Sequence, residues 1–587
     1  MGLLQKAIET YDAMKGIAGV YEEGKEPLAP VGHIVTRAQI EITITAEGRF
    51  YAARAADKEQ KIIIPVTEDS AGRTSAPAAH PLCEQLGYLS GRDEAKLELY
   101  MEGLGKWVKS AHAHPKAAAV WAYVHGDTLL ADLTAAGLST EKEKDMVCWR
   151  VVGLGTENDP AVWRDRSLMN AYTAFYLSQQ SGDKQVCMLT GESSFVTWKH
   201  MKGVFSLNGN AKIISANDSA NFTYRGRFEE PEEAASVGYL ASQKAHNALK
   251  WLISTQGTIQ GNQRAFVCWN PRGIPMPKLH LPFLAAGSDE PARPSYRNYR
   301  DDLQRKLTSC KARLQADDQV IIAAFDAATT GRLAITYYNE LLGSDFLNRL
   351  AYWDETCCWC DPFQGVHAPA LYSIICFAFG TERGSSGKIE PDDRLVVQQM
   401  QRLLSCRIDQ AAFPLDILQA IVNRAGNLQV YSKTNRHRLL FTACAVIRKY
   451  HIDHEKEELE LALEPERKDR SYQWGRLLAV MEKIEQDTYD KSEDRPTNAI
   501  RMQSVFVQRP GYAAKVVLEQ LKTAYYPRLS KPMRIFYDRL IGEIMEQLSR
   551  FDAADYGKPL SETYLPGYYL QKNALYAKKN DEDVEEE

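Results

Sequence analysis

The sequence predicts an α+β protein, with a mixed α/β N-terminal body built on antiparallel strands and an all-α helical bundle at the C-terminus. Two observations lead to this prediction. Before residue 350, short stretches alternate apolar and polar residues as half-buried strands do, and helical stretches separate them. Beyond residue 350, strand signals nearly vanish and apolar residues recur at helical spacing.

The N-terminal body begins with an amphipathic helix, because Leu4, Ile8, Tyr11 and Met14 lie at helical spacing. The alternation of apolar and polar residues in 40–44 is typical of a half-buried strand. Further strands are expected at 50–51, 62–66, 146–152, 266–269, 320–325 and 333–338, and helices around 92–109, 116–135, 160–180 and 234–254.

Two apolar stripes at helical spacing define the C-terminal body. The first consists of Trp474, Leu477, Leu478, Met481 and Ile484, and the second of Tyr537, Leu540, Ile541, Ile544, Leu548 and Phe551. We therefore divide the chain into an α/β body (1–350), a helical connecting region (351–470) and a helical bundle with an acidic tail (471–587).

The formal net charge of −5 hides segments of opposite sign. Basic residues exceed acidic ones in 199–227, 293–313, 394–449 and 501–550, whereas six of the last seven residues are acidic. Any one basic segment is most simply a solvated helix face. Four of them together favour a surface that follows a polyanion such as nucleic acid.

No catalytic motif stands out, and we predict neither an enzyme nor a bound metal or cofactor. The sequence has no phosphate-binding glycine loop with its lysine, no HExxH and no GxSxG. Eleven dispersed cysteines and an N-terminus without a signal-peptide core favour a reducing cytoplasm, and no apolar run is long enough to cross a membrane. The CxxC of Cys357 and Cys360 lacks a second tight pair of ligands, so buried thiols are favoured over zinc.

A polar segment at 206–226 is rich in asparagine and glycine and lies beside cations. Asparagine can pair with an adenine edge, lysine neutralises phosphate, and glycine permits a close approach of the backbone. An Asn-Gly pair also marks a simple hairpin turn, so the residues alone leave both interpretations open. The candidate base- and phosphate-contacting residues are Asn208, Asn210, Lys212, Ser215 and Asn217.

This segment resembles the Asn/Ser/Lys-rich signature of the large subunit of the type I-C CRISPR surveillance complex (Cascade). Further matches follow in the family's order over nearly the whole chain. They are LLQKAIETYDAM at the start, Ile64-Pro65 followed by Arg73-Thr74-Ser75, Ala248–Ile253, Gly331-Arg332-Leu333, Gly475–Val480 and Leu565–Gln571. The chain departs from the family pattern after the paired tyrosines, where His-Gln-Arg is usual and Leu570, Gln571 and Lys572 stand here.

The resemblance implies a subunit without chemistry of its own. Such a subunit recognises the protospacer-adjacent motif (PAM) in double-stranded DNA, opens the neighbouring base pairs and helps to recruit a helicase-nuclease. Its partners would be crRNA, target DNA, the backbone and crRNA-processing subunits and a small subunit. The α/β body would also dock the 5′ end of the crRNA, and Arg73 would contact phosphate beside the PAM-reading loop.

Two further expectations concern the basic segments and the C-terminus. We expect Arg436, Arg438, Lys449, Arg528 and Lys531 to line the path of a displaced DNA strand, with Phe441 or Tyr525 stacking on bases. The resemblance also implies that the C-terminal bundle is made separately as a small subunit, from an internal start such as Met481 or Met502.

Two alternatives from other classes stay open at this point. One is a metal-dependent nuclease that uses His451, Asp453 and His454. The other is a helical scaffold that binds only proteins, with the basic segments as ordinary surface.

Overall fold

The chain folds into two compact units in the computed structural model. The structure describes residues 2–22, 24–73, 76–155, 159–182, 184–205, 209–214, 235–260, 263–284, 295–327, 331–384, 387–490, 493 and 495–584. The N-terminal unit comprises Met1–Met276 and Asp318–Leu341, and the C-terminal unit comprises Pro277–Asp317 and Leu342–Glu587. The chain passes into the C-terminal unit for the last time after Leu341, whereas the sequence placed this boundary at residue 350. Residues 277–317 also belong to the C-terminal unit.

The N-terminal unit mixes strands and helices. Its strands are β1 (His33–Arg37), β2 (Ile40–Thr45), β3 (Phe50–Ala55), β4 (Lys61–Pro65), β5 (Glu84–Gln85), β6 (Met146–Val152), β7 (Gln185–Val186), β8 (Ser193–Ser194), β9 (Thr258–Gln260), β10 (Arg264–Trp269), β11 (Gln319–Asp326) and β12 (Ala334–Leu342). Its α-helices are Leu3–Met14, Glu68–Gly72, Leu86–Leu89, Glu94–Val108, Pro115–His125, Leu129–Ala135, Arg166–Ser178 and Tyr239–Gln256.

One sheet of this unit has the strand order β3-β2-β6-β5. β2 runs antiparallel to β3 but parallel to β6, with Ile42 beside Trp149. Strand alternation did not predict this parallel pair, because the period of two is the same in both kinds of sheet. The helix Pro115–His125 packs on β2 and β6 and closes the core over Ile42 and Trp149, which are fully buried.

A second sheet has the order β12-β11-β10-β9, with β10 antiparallel to β11 from Arg264–Asp326 to Trp269–Ile321. The helix Tyr239–Gln256 packs on β10 and on the first helix, Leu3–Met14. The indole N–H of Trp269 donates to Thr10 Oγ1 at 2.9 Å, so this buried ring keeps its hydrogen bond.

The helix expected at 116–135 is two helices, Pro115–His125 and Leu129–Ala135. Asp127 between them has φ of 52°, in the left-handed region that ends an α-helix. The apolar periodicity continues across this break and therefore did not predict it.

The C-terminal unit is mainly helical. Its α-helices are Tyr296–Lys311, Gly343–Thr356, Leu371–Phe379, Asp393–Ile408, Leu415–Ala425, Lys433–His454, Arg470–Gln486, Asn498–Arg501, Gln503–Gln508, Pro510–Gln520, Lys531–Ser549, Ala553–Tyr556 and Tyr564–Val584. Two hairpins, β13 (Trp359–Asp361) with β14 (Gly365–His367) and β15 (Thr381–Arg383) with β16 (Lys388–Glu390), also lie beyond residue 350. Strands of three residues are too short to show alternation.

The α+β class is confirmed, with 51% of residues helical and 15% in strands.

The helix Arg470–Gln486, here called the central helix, is buried from Ser471 to Glu485. It crosses the C-terminal helix Tyr564–Val584 at two glycines. A Cβ on Gly475 would stand 1.9 Å from the carbonyl oxygen of Tyr564, and one on Gly567 would stand 2.2 Å from that of Tyr472. The two backbones therefore touch at a crossing that only glycine permits.

Within the described ranges, no helix combines the length and the apolarity that a membrane crossing requires. The eleven cysteines are free thiols, and most of them are buried.

Candidate nucleic-acid interface

Of the candidate residues in the segment 206–226, the structure describes Asn210 and Lys212. The main-chain N–H of Lys212 donates to Gly331 O at 3.2 Å, and its carbonyl accepts from Leu333 N at 2.9 Å. On the other side Lys212 forms a bridge with Lys202. Asn210 is exposed. Asn208, Ser215 and Asn217 lie outside the residues that the structure describes.

Arg73 follows the short helix Glu68–Gly72 and is held by an acid. Its guanidinium donates to the two carboxylate oxygens of Glu84 at 2.5 and 2.7 Å and to Ala78 O at 2.8 Å. The Glu84 side chain is fully buried, and that of Arg73 is 14% exposed. The phosphate contact assigned to Arg73 stays a prediction, since this geometry uses its guanidinium within the chain.

Lys202 connects these two features. Its Nζ donates to the carbonyl oxygen of Arg73 at 2.7 Å. Burial, together with the positive charges of Lys212 and Arg73, lowers the pKa of Lys202. The structure thus gathers Arg73, Lys202 and Lys212, although the first is far from the others in sequence.

Two buried histidines lie beside this cluster, His200 two residues before Lys202 and His246 on the helix Tyr239–Gln256. His200 Nδ1 is 2.9 Å from Ser242 Oγ, and His246 Nδ1–H donates to the carbonyl oxygen of Ser242 at 2.7 Å. Burial lowers the pKa of both rings, and the nearby positive charge of Lys212 adds to the shift of His200. At neutral pH both rings are therefore uncharged, and the positive charge next to them comes from the lysines.

The basic candidates of the C-terminal unit fall into two groups. Arg438, Arg528 and Lys531 are exposed, with the guanidinium groups of Arg438 and Arg528 resting 5.5 and 5.8 Å from the ring centres of Phe377 and Tyr525. Side chains placed in this way keep their charge at the surface, where a polyanion can reach them.

Lys449 and Arg436 have partners inside the chain. The Lys449 side chain is 2% exposed and donates to Asp453 Oδ1 at 2.7 Å. The half-buried Arg436 donates from Nε to Tyr431 O at 2.7 Å. Basic residues in a helical segment are thus divided between surface and core, which a charge count does not distinguish.

The two aromatic rings expected to stack on bases are also buried. Phe441 is 6% exposed and lies 4.2 Å from the ring of His367, and Tyr525 is 8% exposed. Stacking on a nucleic-acid base needs an exposed ring face.

The residues of the nuclease alternative have structural contacts. Asp453 Oδ2 accepts the N–H of Phe413 at 3.0 Å, and His454 Nε2 donates to the carbonyl oxygen of Phe413 at 2.9 Å. His451 pairs instead with Glu455 and Glu562 at 2.7 and 3.0 Å. Burial lowers the His451 pKa, but the hydrogen bond that the ring donates to Glu562, together with the nearby glutamates, raises it overall.

Three side chains near His451 lie close enough together to hold a metal ion, but they are not the three residues of the nuclease alternative. Among the residues that the structure describes, His451, Glu455 and Glu457 bring one ligand atom each within 4.8 Å of one another. Both glutamates are exposed. The geometry does not bring Asp453 and His454 into that group.

The thiols of the CxxC stretch are buried. Burial raises the pKa of Cys358 and Cys360 to about 12, and Cys358 Sγ–H donates to Glu355 O at 3.3 Å. These are the properties of structural thiols, which are inert.

Sequence reasoning did not single out Lys202 or Arg332 as contact residues. Arg332 forms a bridge with Lys212 from a segment 120 residues further along the chain. Two signals were present, because Lys202 lies in the basic stretch 199–227 and Arg332 lies in the motif Gly331-Arg332-Leu333.

The family model for "CRISPR-associated protein (Cas_Csd1)" matches residues 9–576. No curated protein matched the chain.

Proposed function

We propose, because this chain belongs to the Csd1 family of CRISPR-associated proteins, that it is the non-catalytic large subunit of a type I-C crRNA-guided complex in the cytoplasm. In that complex it recognises the PAM in double-stranded DNA, promotes duplex opening and R-loop formation, and helps to recruit the helicase-nuclease. Base pairing with the crRNA reads the target sequence, and the protein reads the short motif.

The observation that carries this proposal is the cluster of cations beside the polar segment. Asn210 is exposed two residues before Lys212, and Lys202 holds the main chain at Arg73. Amide groups can read base edges while neighbouring ammonium groups bind phosphate, which is the division of contacts found in DNA recognition. We assign PAM recognition to Asn208, Asn210, Lys212, Ser215 and Asn217, with Arg73 supporting them.

The three regions then have different roles. Residues 1–350 recognise the PAM and dock the 5′ end of the crRNA and the backbone subunits, 351–470 connect, and 471–587 correspond to a small subunit. In the C-terminal unit, the exposed Arg438, Arg528 and Lys531 are the best candidates for contact with the displaced strand, whereas Lys449 has an internal partner. Internal translation from Met481 would begin inside the central helix, after Gly475, so its product would lack the glycine of that helix at the crossing.

The first test is PAM discrimination by the assembled crRNA complex. Asn208→Ala combined with Asn210→Ala should cost about 1–3 kcal/mol at a base contact and relax the preference at one PAM position. Lys212→Ala should weaken binding to all PAM sequences alike, because a phosphate contact carries no sequence information. Binding of duplexes that differ only in the PAM measures both effects.

The control is Asn423→Ala, which removes an exposed amide from the helix Leu415–Ala425. It should leave PAM preference unchanged. If the double asparagine variant discriminates as well as the parent, the segment is a turn and the PAM assignment is wrong.

A further inference from the structure

Three short segments of the N-terminal unit pair side by side and carry a cation at each matched position. Lys202 forms an antiparallel bridge with Lys212, and Lys212 forms a parallel bridge with Arg332. The hydrogen bond from Gly203 N to Ala211 O, at 3.0 Å, fixes the first pairing. Matched residues on neighbouring strands direct their side chains to the same face, so the three cations lie in one row.

The alternation of burial along each segment shows which face this is. Met201, Ala211 and Leu333 each adjoin one of the three cations in sequence, and they are 4%, 0% and 4% exposed. Successive side chains of a strand point to opposite faces. The cations therefore lie on the face turned away from the core, with Arg332 exposed and the two lysines half-buried.

The charges of this row are not neutralised within the described part of the chain, where no carboxylate forms an ion pair with Lys202, Lys212 or Arg332. Side chains directly opposite each other have Cβ atoms about 4.5–5.5 Å apart, and like charges on such a pair of residues destabilise a sheet. Among the residues that the structure describes, the hydrogen-bond partner of Lys202 Nζ is a neutral carbonyl oxygen, that of Arg73. The lowered pKa of Lys202 reflects its burial and its positive neighbours, Lys212 and Arg73. An anion on the row would remove this repulsion.

We propose that Lys202, Lys212 and Arg332, here called the cation row, bind the sugar-phosphate backbone of duplex DNA next to the PAM. This inference rests on the proposed function, and it adds Lys202 and Arg332 to the contacts and assigns all three to phosphate. Strands lie about 4.8 Å apart, so the row is about 10 Å long. Phosphates of one DNA strand follow each other every ~3.4 Å of helix axis, so the row spans two or three of them.

The chemistry of the three side chains fits this ligand. The planar guanidinium of Arg332, at the exposed end of the row, can bind two oxygens of one phosphate, while the ammonium groups act as point charges. Phosphate contacts fix the register of a protein on the duplex without reading its sequence. The row would thereby hold the DNA while residues such as Asn210 read base edges.

The experiment measures how salt weakens binding of the crRNA complex to a duplex that carries the PAM but does not match the crRNA. Base pairing to the guide then contributes nothing. Each phosphate contact contributes about −0.9 to the slope of log affinity against log salt, so Lys202→Gln, Lys212→Gln and Arg332→Gln together should reduce the slope by about 2.7. Between 50 and 200 mM salt, the parent should lose roughly 40-fold more affinity than the triple variant.

Two matched variants separate charge from folding. Replacement of Lys202 and Lys212 by Arg and of Arg332 by Lys retains the charges and should retain the slope. Lys144→Gln removes an exposed cation elsewhere in the same unit and should change the slope by no more than one contact.

The outcomes distinguish this inference from the proposed function. The triple variant should lose affinity equally for duplexes with and without the PAM, so the ratio between them should not change. An unchanged salt slope in a variant that still prefers the PAM would overturn the cation row and leave the proposed function standing. A parent complex without any PAM preference would overturn the proposed function. In that case the difference in salt slope between the parent and the triple variant would still test whether the cation row binds phosphate. Loss of crRNA from the triple variant, in place of weaker DNA binding, would show that the row holds RNA and would overturn the assignment to DNA.

Discussion

The buried ring of His33, in the N-terminal unit, is uncharged at neutral pH. His33 is fully buried, and its Nδ1–H donates to Val31 O at 3.0 Å. Its Nε2 is buried and has no hydrogen-bond partner among the described residues. Burial lowers the pKa of His33 to about 4, because a proton on Nε2 would place a charged, unsatisfied N–H in the core.

This predicts a loss of stability in mild acid. The folded-state pKa lies below the unfolded value of about 6.5, so the stability contributed by the neutral ring is complete above pH 6.5 and is lost as pH falls towards 4. At pH 5 the loss from His33 alone should be about 2 kcal/mol. His33→Phe keeps the ring that packs edge-on against Tyr172, and it should reduce the change in unfolding free energy between pH 7.5 and 5.0 by that amount.

Urea unfolding at the two pH values measures this difference. The parent chain, unfolded under the same two conditions, is the reference. Equal pH dependence of the His33→Phe variant and the parent would contradict the prediction.

At the scale of elements, the crossing of the central and C-terminal helices joins two distant parts of the sequence. Gly475 begins the family-like motif Gly475–Val480, and Gly567 lies in the family-like motif Leu565–Gln571. Around the glycines, Arg476 Nε donates to Gln571 Oε1 at 2.9 Å, and Lys572 Nζ lies 2.9 Å from Glu482. The two motifs are therefore joined by one packing contact, although about 90 residues separate them in the sequence.

Adding one methyl group at this crossing should separate the helices. Gly475→Ala would place a Cβ against a main-chain carbonyl, which cannot move aside as a side chain can, and should cost roughly 3 kcal/mol, at the upper end for overpacking. Gly542→Ala is the matched control, because Gly542 lies inside the helix Lys531–Ser549 and no atom of the described part of the chain comes within 4 Å of its Cβ position. It should stabilise the protein by roughly 0.5–1 kcal/mol. Chemical denaturation of both variants decides, and two variants of equal stability would refute the close crossing.

Local patterns predicted the elements better than their pairing. The strand expected at 146–152 is the observed β6, because seven residues of mostly buried apolar character give a clear signal. Its parallel neighbour β2 lies about 100 residues earlier, and nothing in either segment states that they pair. The candidate site has the same character. The sequence made Lys212 a candidate from its own surroundings, whereas Lys202 and Arg332 join it through non-local bridges.

At the scale of the whole molecule, the N-terminal unit is made of two separate segments of the chain, Met1–Met276 and Asp318–Leu341. Residues 277–317 belong to the C-terminal unit, yet β11 and β12 complete the sheet that β9 and β10 begin. The two ends of the excursion are close, since Asn270 Nδ2 donates to Gln319 O at 2.9 Å and Arg272 pairs with Asp318 at 2.6 Å. A short linker could therefore replace the excursion.

We expect a linked chain of residues 1–276, a six-residue Gly/Ser linker and residues 318–341 to fold and stay soluble. A chain of residues 1–276 alone should aggregate, because β10 would then present an unpaired, apolar edge. Circular dichroism and sedimentation compare the two chains. Ala323→Pro in the linked chain is the control. It removes a main-chain donor from the middle of β11 and should reproduce the behaviour of the shortened chain. Equal solubility of all three would show that β11 does not hold the unit together.

The same excursion imposes a waiting time during synthesis. β11 ends at Asp326, 57 residues after β10 ends at Trp269. At about 5–20 residues per second, the ribosome needs roughly 3 to 11 s to supply the partner strand. Throughout that interval one side of β10 can pair with another nascent chain. Slower translation of residues 277–317 would lengthen the exposure, so the yield of folded protein depends on the speed at which a segment outside the N-terminal unit is made.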